Sequence, residues 1–276
     1  MCPVTSFQPL DRPFKGVYPF RLATTSFIYS ADWCTNVRLL GPFVDEVELL
    51  FLESRYDGCF PSTREIHWLS SLAEQYTLTY NVHLPTDISL CHTSPSERKK
   101  AIEILYHVID FSAALTPSTW TLHLPFEPDS VSIDSIQDWR ACCRDGLERL
   151  INRSGVSPKK LSIETLFYPF EWIGDIVKDF HLGVCIDTGH LMLKNADPLA
   201  VYAAYDDIVS ILHLHGVHEQ KDHVSLDKLS TKRSEKILSL LKRYTGTVSI
   251  EVFSFNDLRT SLSWLSHHWQ QNPFQR

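Results

Sequence analysis

The sequence predicts an α/β fold, a single (β/α)8 barrel, from three observations: eight short β-rich runs, amphipathic stretches between them, and a His, Asp or Glu within two residues of the C-terminal end of six successive runs. The runs are Leu22–Ile28, Glu46–Leu52, Leu78–Leu84, Thr119–Leu124, Leu161–Leu166, Leu182–Ile186, Val209–Leu214 and Thr247–Val252. Strands that alternate with helices pair in parallel, because each helix carries the chain back to the edge where the next strand starts. A doubly wound open sheet shares this alternation, but the count and regularity of the units favour closure, and no Gly-rich dinucleotide loop is present.

The helical stretches carry their own signals. Ile102, Leu105, Val108 and Ile109 recur at three- and four-residue spacing, behind a start formed by Ser94, Pro95, Ser96 and Glu97. Pro61 to Glu65 opens the preceding helix in the same way, and segments 134–153, 171–180, 228–243 and 257–270 complete the series. Residues 197–206 have little amphipathic pattern. The 276 residues suit one domain, 1–276, with residues 1–20 and the Pro-, Gln- and Asn-containing tail 271–276 as peripheral arms.

Composition narrows the partners. Hydrophobic residues make up 43% of the chain and charged residues 21%, enough apolar surface for a core. The net charge of -7 and the lack of any Lys/Arg run argue against long nucleic acid, which is held by cationic side chains. No apolar stretch approaches the roughly 20 residues that span a bilayer, and Met1 to Phe14 lacks a charged region followed by an apolar one. Seven scattered cysteines without a CxxC pair fit a reduced, cytoplasmic setting.

In a parallel barrel the C-terminal strand ends share one face, so polar residues there converge however distant in sequence. Strand three ends at His83, strand four at His123 and strand five at Glu164; strand six leads into Asp187 and His190, strand seven carries His213 and His215, and strand eight ends at Glu251. Imidazole and carboxylate bind divalent zinc, manganese, iron or cobalt, and neither belongs in an apolar strand end without a partner. A lone buried His or Glu is more often a hydrogen-bonded structural group, but six in succession at one face point to a metal site. Asp222 and His223 follow strand seven, the first a candidate substrate contact and the second a candidate metal ligand. Glu48 and Glu53 on or after strand two are candidate substrate contacts, with surface salt bridging as the alternative. Phe126, Phe167, Tyr168, Phe170 and Trp172 either wall a cleft or pack between helix and sheet, and Tyr168 is carried as a substrate-binding candidate. His67, His92, His107, His181, His267 and His268 fall on helices or at the wrong strand ends and carry no role.

This strand-end set resembles the AP endonuclease and xylose isomerase-like TIM-barrel superfamily over essentially the whole chain. His83, His123, Glu164, Asp187, His190, His213, His223 and Glu251 match, in order, the ligands of the endonuclease IV pattern, which implies more than one divalent ion per chain. That pattern separates the loop Asp and His by one residue, whereas Asp222 and His223 are adjacent here. Either His213 or His215 could supply the strand-seven ligand, since both face one side of the strand.

Longer strings are more specific: residues 24–29, 40–43, 80–87, 163–166 with 168–172, and 213–217 resemble the cobamide-remodelling hydrolases of the CbiR type. The resemblance implies a metal-dependent phosphodiesterase that cleaves the phosphoribosyl bond in the nucleotide loop of a cobamide, with Glu164 or Glu251 as the catalytic base. The rival within the superfamily is a ketose isomerase or epimerase, using Glu164 and Glu251 across one metal. A non-catalytic corrinoid or metal carrier is the rival from another class.

Overall fold

The computed structural model of the protein describes residues 7–56 and 58–270. The barrel strands are β1 (Arg21–Thr25), β2 (Glu46–Leu50), β3 (Thr79–His83), β4 (Trp120–Leu122), β5 (Leu161–Glu164), β6 (Gly183–Asp187) and β7 (Val209–Leu214). A hairpin of β8 (Gly216–His218) and β9 (Lys221–Val224) intervenes before β10 (Thr247–Ile250) closes the ring. Eight parallel strands follow one another in the order β1-β10-β7-β6-β5-β4-β3-β2, so the predicted closed barrel is present rather than the open sheet.

The outer layer is α1 (Trp33–Leu40), α2 (Thr63–Tyr76), α3 (Pro95–Ser112), α4 (Ile133–Ser154), α5 (Gly174–Asp179), α6 (Thr188–Leu193), α7 (Pro198–Tyr205), α8 (Thr231–Leu241) and α9 (Phe255–Gln270). Local chemistry sets their ends. Ser62 caps α2 in a reciprocal box with Glu65, and Gly155 ends α4 in the left-handed region, where a missing Cβ costs nothing. Helix α6 starts directly at the end of β6, because the Asp187 side chain accepts from the His190 amide and caps it.

Strand alternation builds the interior. Val47, Leu49, Tyr80, Val82, Val248 and Ile250 are buried in the apolar core with the helices, while Glu46, Glu48, Asn81 and Ser249 on the same strands are buried polar groups. Near the N-terminal strand ends, Glu46 accepts from Thr79, Asn81 and Ser118, so this buried carboxylate is satisfied. The described part of the expected N-terminal arm packs tightly: Leu10, Phe14, Tyr18 and Phe20 are buried, and Tyr18 and Phe20 both meet Trp269 edge-on. Residues 1–6 and the tail 271–276 lie outside the described residues. Among the described residues no helix is long and apolar enough to cross a membrane.

Candidate metal centre

Register brings the strand-end residues together. Asp187 pairs with His213, His213 with Ser249, and Glu164 with Cys185 beside it, so β5, β6, β7 and β10 deliver their polar ends at one level. Glu164 is the hub. Its Oε2 lies 2.9 Å from His123 Nε2 and 3.1 Å from His83 Nε2, and its Oε1 lies 3.4 Å from His190 Nδ1. His213 Nδ1 is 3.1 Å from Glu251 and 3.7 Å from Glu164, and His223 Nε2 is 3.5 Å from Glu251. On the other side, His215 Nε2 sits 3.1 Å from both oxygens of Asp187.

These residues form three overlapping sets whose donor atoms lie within 4.8 Å of one another: His83, Glu164 and His213; Glu164, Asp187, His213 and Glu251; and Asp187, His190, His215 and His223. Both strand-seven histidines therefore reach the centre, in different sets. The donor chemistry fits divalent cations. Glu251 Oε2 and both His213 nitrogens are buried without a directed hydrogen bond, and such orphans are costly unless something else engages them. The ion pairs of Glu164, Asp187 and Glu251 are all with histidines.

The protons follow from the geometry. Burial opposes charge on Glu164, yet His123 and His213 outweigh it and hold the carboxyl well below its ordinary range. Glu251 is likewise held well down against burial by His213. Burial pulls His190 down, but Asp187 and Glu164 push it up to about 10; His223, opposed by burial and favoured by Glu251, rises to about 9. A metal ligand must be the neutral imidazole, so cation binding must displace protons from His190 and His223. Titrating zinc into metal-free protein at pH 8 is expected to release protons to a weak buffer, and affinity at this set to fall about tenfold or more per pH unit below 9. Without metal the sign reverses: these raised values stabilise the fold fully below the ordinary histidine value, and that contribution fades as pH climbs through about 9 to 10.

Three expectations about substrate contacts change. Glu48 is fully buried, neither at the surface nor at the opening: Ser249 Oγ donates to its Oε2 at 2.5 Å, and its Oε1 lies 2.9 Å off-line from His213 Nε2. It thus places a carboxylate against the Nε2 side of His213, with Nδ1 3.1 Å from Glu251 on the other side. Glu48→Gln is expected to weaken metal binding by about 10- to 100-fold, measured by competition with a chelator, with little change in helix content. Tyr168 is also buried, packed against Trp139 and stacked on Trp172, while its neighbour Phe167 faces out over His190 at 4.5 Å. Phe126 and Trp172 join the same packed cluster.

Asp222 stands nearer the metal sets than a substrate contact would need to, 3.2 Å from His223 Nδ1 and 3.9 Å from His190 Nε2. Successive strand residues normally point to opposite faces; here His223 adopts a φ of 52°, and this left-handed kink lets two adjacent side chains serve one site. Residues the sequence did not single out include Thr165, whose hydroxyl accepts from the Asp187 amide, and Gly189, whose backbone runs directly against the His215 ring. Neither position carries a metal-binding side chain, so no ligand pattern exposes it.

The model of the family described as "Xylose isomerase-like TIM barrel" matches residues 40–268. The chain belongs to that family. Among solved structures, a D-tagatose 3-epimerase-like protein superposes on this TIM barrel with a TM-score of 0.73 at 18% identity, covering 91% of this chain and 97% of that one. Endonuclease IV from Thermus thermophilus gives 0.69 at 18%, covering 90% and 99%, and D-allulose 3-epimerase from Methylomonas sp. gives 0.64 at 14%, covering 96% and 92%. At such identities the likeness concerns the fold, which epimerases and a nuclease share. No curated protein sequence matches the chain.

Proposed function

We propose that this family member is a metal-dependent phosphodiester hydrolase that cleaves the phosphoribosyl bond in the nucleotide loop of cobamides, freeing the lower ligand for exchange. The observation that carries the hydrolase reading is the surplus of donors. Glu164, Asp187, His213 and Glu251 would suffice for one ion, and His83, His190, His215 and His223 extend them into three overlapping sets, with His123 a further imidazole 2.9 Å from Glu164. In-line displacement at phosphorus draws charge onto several oxygens at once, which is the situation more than one cation serves. The cobamide part rests on the longer strings, among them residues 80–87 and 213–217.

Bound divalent ions would acidify a water and neutralise charge on the phosphoryl oxygens. The chain's own share is positioning: Glu164 and Asp187 each belong to two sets and fix the spacing between them, and Glu251, beside His213 and His223, is placed to take the proton from water. Incubating the purified protein with an adenosylated cobamide and separating the products by chromatography tests this; a shortened corrinoid that keeps the phosphate and a free lower-ligand riboside are expected, with more than one metal per chain by elemental analysis.

The set of Glu164, Asp187, His213 and Glu251 by itself also satisfies a one-metal ketose epimerase, with its two glutamates as acid and base. A single equivalent of metal together with ketose turnover would replace the hydrolase reading. Tight cobamide binding without cleavage would make the protein a carrier.

A further inference from the structure

Outside the metal centre, one cavity stands out by charge rather than by size. It has a volume of about 340 Å³, lies between the end of α6 and the first two turns of α8, and is lined by Lys232, Arg233 and Lys236 together with Ser230, Asn195 and Met192. No acidic side chain lines it. Positions 232, 233 and 236 fall on one face of α8, because residues three and four apart are neighbours on a helix, so their charges gather there although the chain as a whole carries -7. The cavity shares no residue with the three donor sets, and α6 runs between them: Asp187 and His190 at its start belong to the metal centre, Met192 near its end and Asn195 beyond it to the cavity.

Asp197, the residue before α7, offsets one of the three charges, with its Oδ2 2.7 Å from Lys236 Nζ. Two remain. Among the described residues neither Lys232 nor Arg233 forms an ion pair, and Arg233 donates only to a neutral carbonyl, Met192 O at 3.0 Å. The arrangement works against the fold: like charges on one wall repel, and Lys232 and Arg233 stand in the first turn of α8, where the helix dipole disfavours cations and no acidic residue compensates. A larger cavity of about 720 Å³ beside α3 also contains cations, but there each is matched, Arg55 by Asp87 at 3.3 Å and Lys100 by Glu97 at 2.8 Å. The smaller cavity is the one left with uncompensated positive charge in a concave wall, which is what an anionic ligand requires.

We infer that the cavity between α6 and α8 is a second ligand site, built for a phosphate monoester group or free phosphate. Such a group carries nearly two negative charges near neutral pH and so matches the two uncompensated cations, whereas a carboxylate or a phosphodiester carries one. The Arg233 guanidinium offers N–H donors in a fork that fits phosphate oxygens, and Lys232 adds a mobile point charge. Ser230, whose side chain makes no capping bond, and Asn195 supply neutral donors. The volume falls at the lower end of the roughly 300–1,000 Å³ of small-molecule sites, enough for a small phosphorylated metabolite. The site does not depend on which reaction the metal centre performs.

The test is isothermal titration calorimetry of the metal-loaded protein with inorganic phosphate and, separately, with glycerol 3-phosphate; tighter binding of the second identifies a metabolite site, equal binding a site for phosphate alone. Binding is expected to weaken about tenfold in Lys232→Ala and about 100-fold or more in Lys232→Glu, which reverses one charge on an exposed side chain, and to fall with added salt. Lys99→Ala, exposed on α3, should bind as wild type does, glycerol should not bind, and sulfate should compete where acetate does not. Circular dichroism and elemental analysis should find Lys232→Glu folded and with its metal retained. No binding by wild type, equal binding by every variant, or competition by acetate as strong as by sulfate overturns the inference. So does binding that survives Lys232→Glu but is lost in metal-poor Glu164→Gln, which would put the phosphate on the metal ions instead.

Discussion

Glu164→Gln is expected to lower cobamide cleavage by about 10³-fold or more and to reduce bound metal, while leaving the far-ultraviolet circular dichroism of the barrel unchanged. The substitution keeps the shape and removes the charge. Glu164 is the carboxylate on which His83, His123, His190 and His213 all converge, within 3.7 Å, and it belongs to two of the three donor sets. An amide is a far weaker ligand for a divalent cation, so both sets are weakened by one substitution, and a loss of about 4 kcal/mol in the barrier term gives a factor of about 10³. Metal-free protein should also suffer, because removing one partner from a buried ionic cluster costs on the order of 3–5 kcal/mol. Its Tm should drop by several degrees, at about 2–4 °C per kcal/mol for a domain approaching this size. The strand layers are untouched, so a folded, metal-poor and inactive protein is the outcome to look for. Full activity in this variant would remove Glu164 from the centre and the hydrolase reading with it.

Gly189→Ala tests the same centre from the other side. Helix propensity favours alanine over glycine in α6, so any loss must come from contact. A Cβ at position 189 would lie 1.9 Å from His215 Cε1 and 2.5 Å from its Nδ1. His215 has little room to yield: it is fully buried, its Nε2 faces Asp187, its Nδ1 accepts from the His223 amide, and its ring stacks on His223 at 4.1 Å. The methyl should therefore drive the imidazole off Asp187 and open the set of Asp187, His190, His215 and His223, while His83, Glu164 and His213 stay in place. The expected result is loss of part of the bound metal and a fall in activity of about 10²-fold. A double-mutant cycle gives the sharper reading: if the two changes act through one contact, Gly189→Ala combined with His215→Ala should be no worse than His215→Ala alone. Additive losses would mean that Gly189 matters for some other reason.

Much of this centre was legible in the linear sequence because barrel geometry is so regular. Once strands and helices alternate eight times, parallel closure puts every strand's C-terminal end on one face, and the residues at those ends must meet. His83, His123, Glu164, Asp187, His213 and Glu251 could be named on that ground alone, each at a strand end separated from the next by a complete helix. Alternation along β2 likewise placed Glu48 inward, but could not say how deep. That it lies beneath His213 rather than at the opening depends on β2, β7 and β10 meeting across the ring, with Ser249 in register with His213.

What the sequence determined by itself is therefore the barrel, the face that carries chemistry and the residue types gathered there, since these follow from period, count and the cost of burying unpaired polar groups. Only the tertiary structure decided how those residues divide into three donor sets, that His213 and His215 serve different ones, and that the adjacent Asp222 and His223 can share a site through a left-handed turn. It also decided which aromatics pack and which face outward, burying Tyr168 against Trp139 and leaving Phe167 open over His190. The physical reason is common to all of these: they depend on distances and rotamers a few ångströms across, set by contacts between elements far apart in the chain, and no local pattern encodes them.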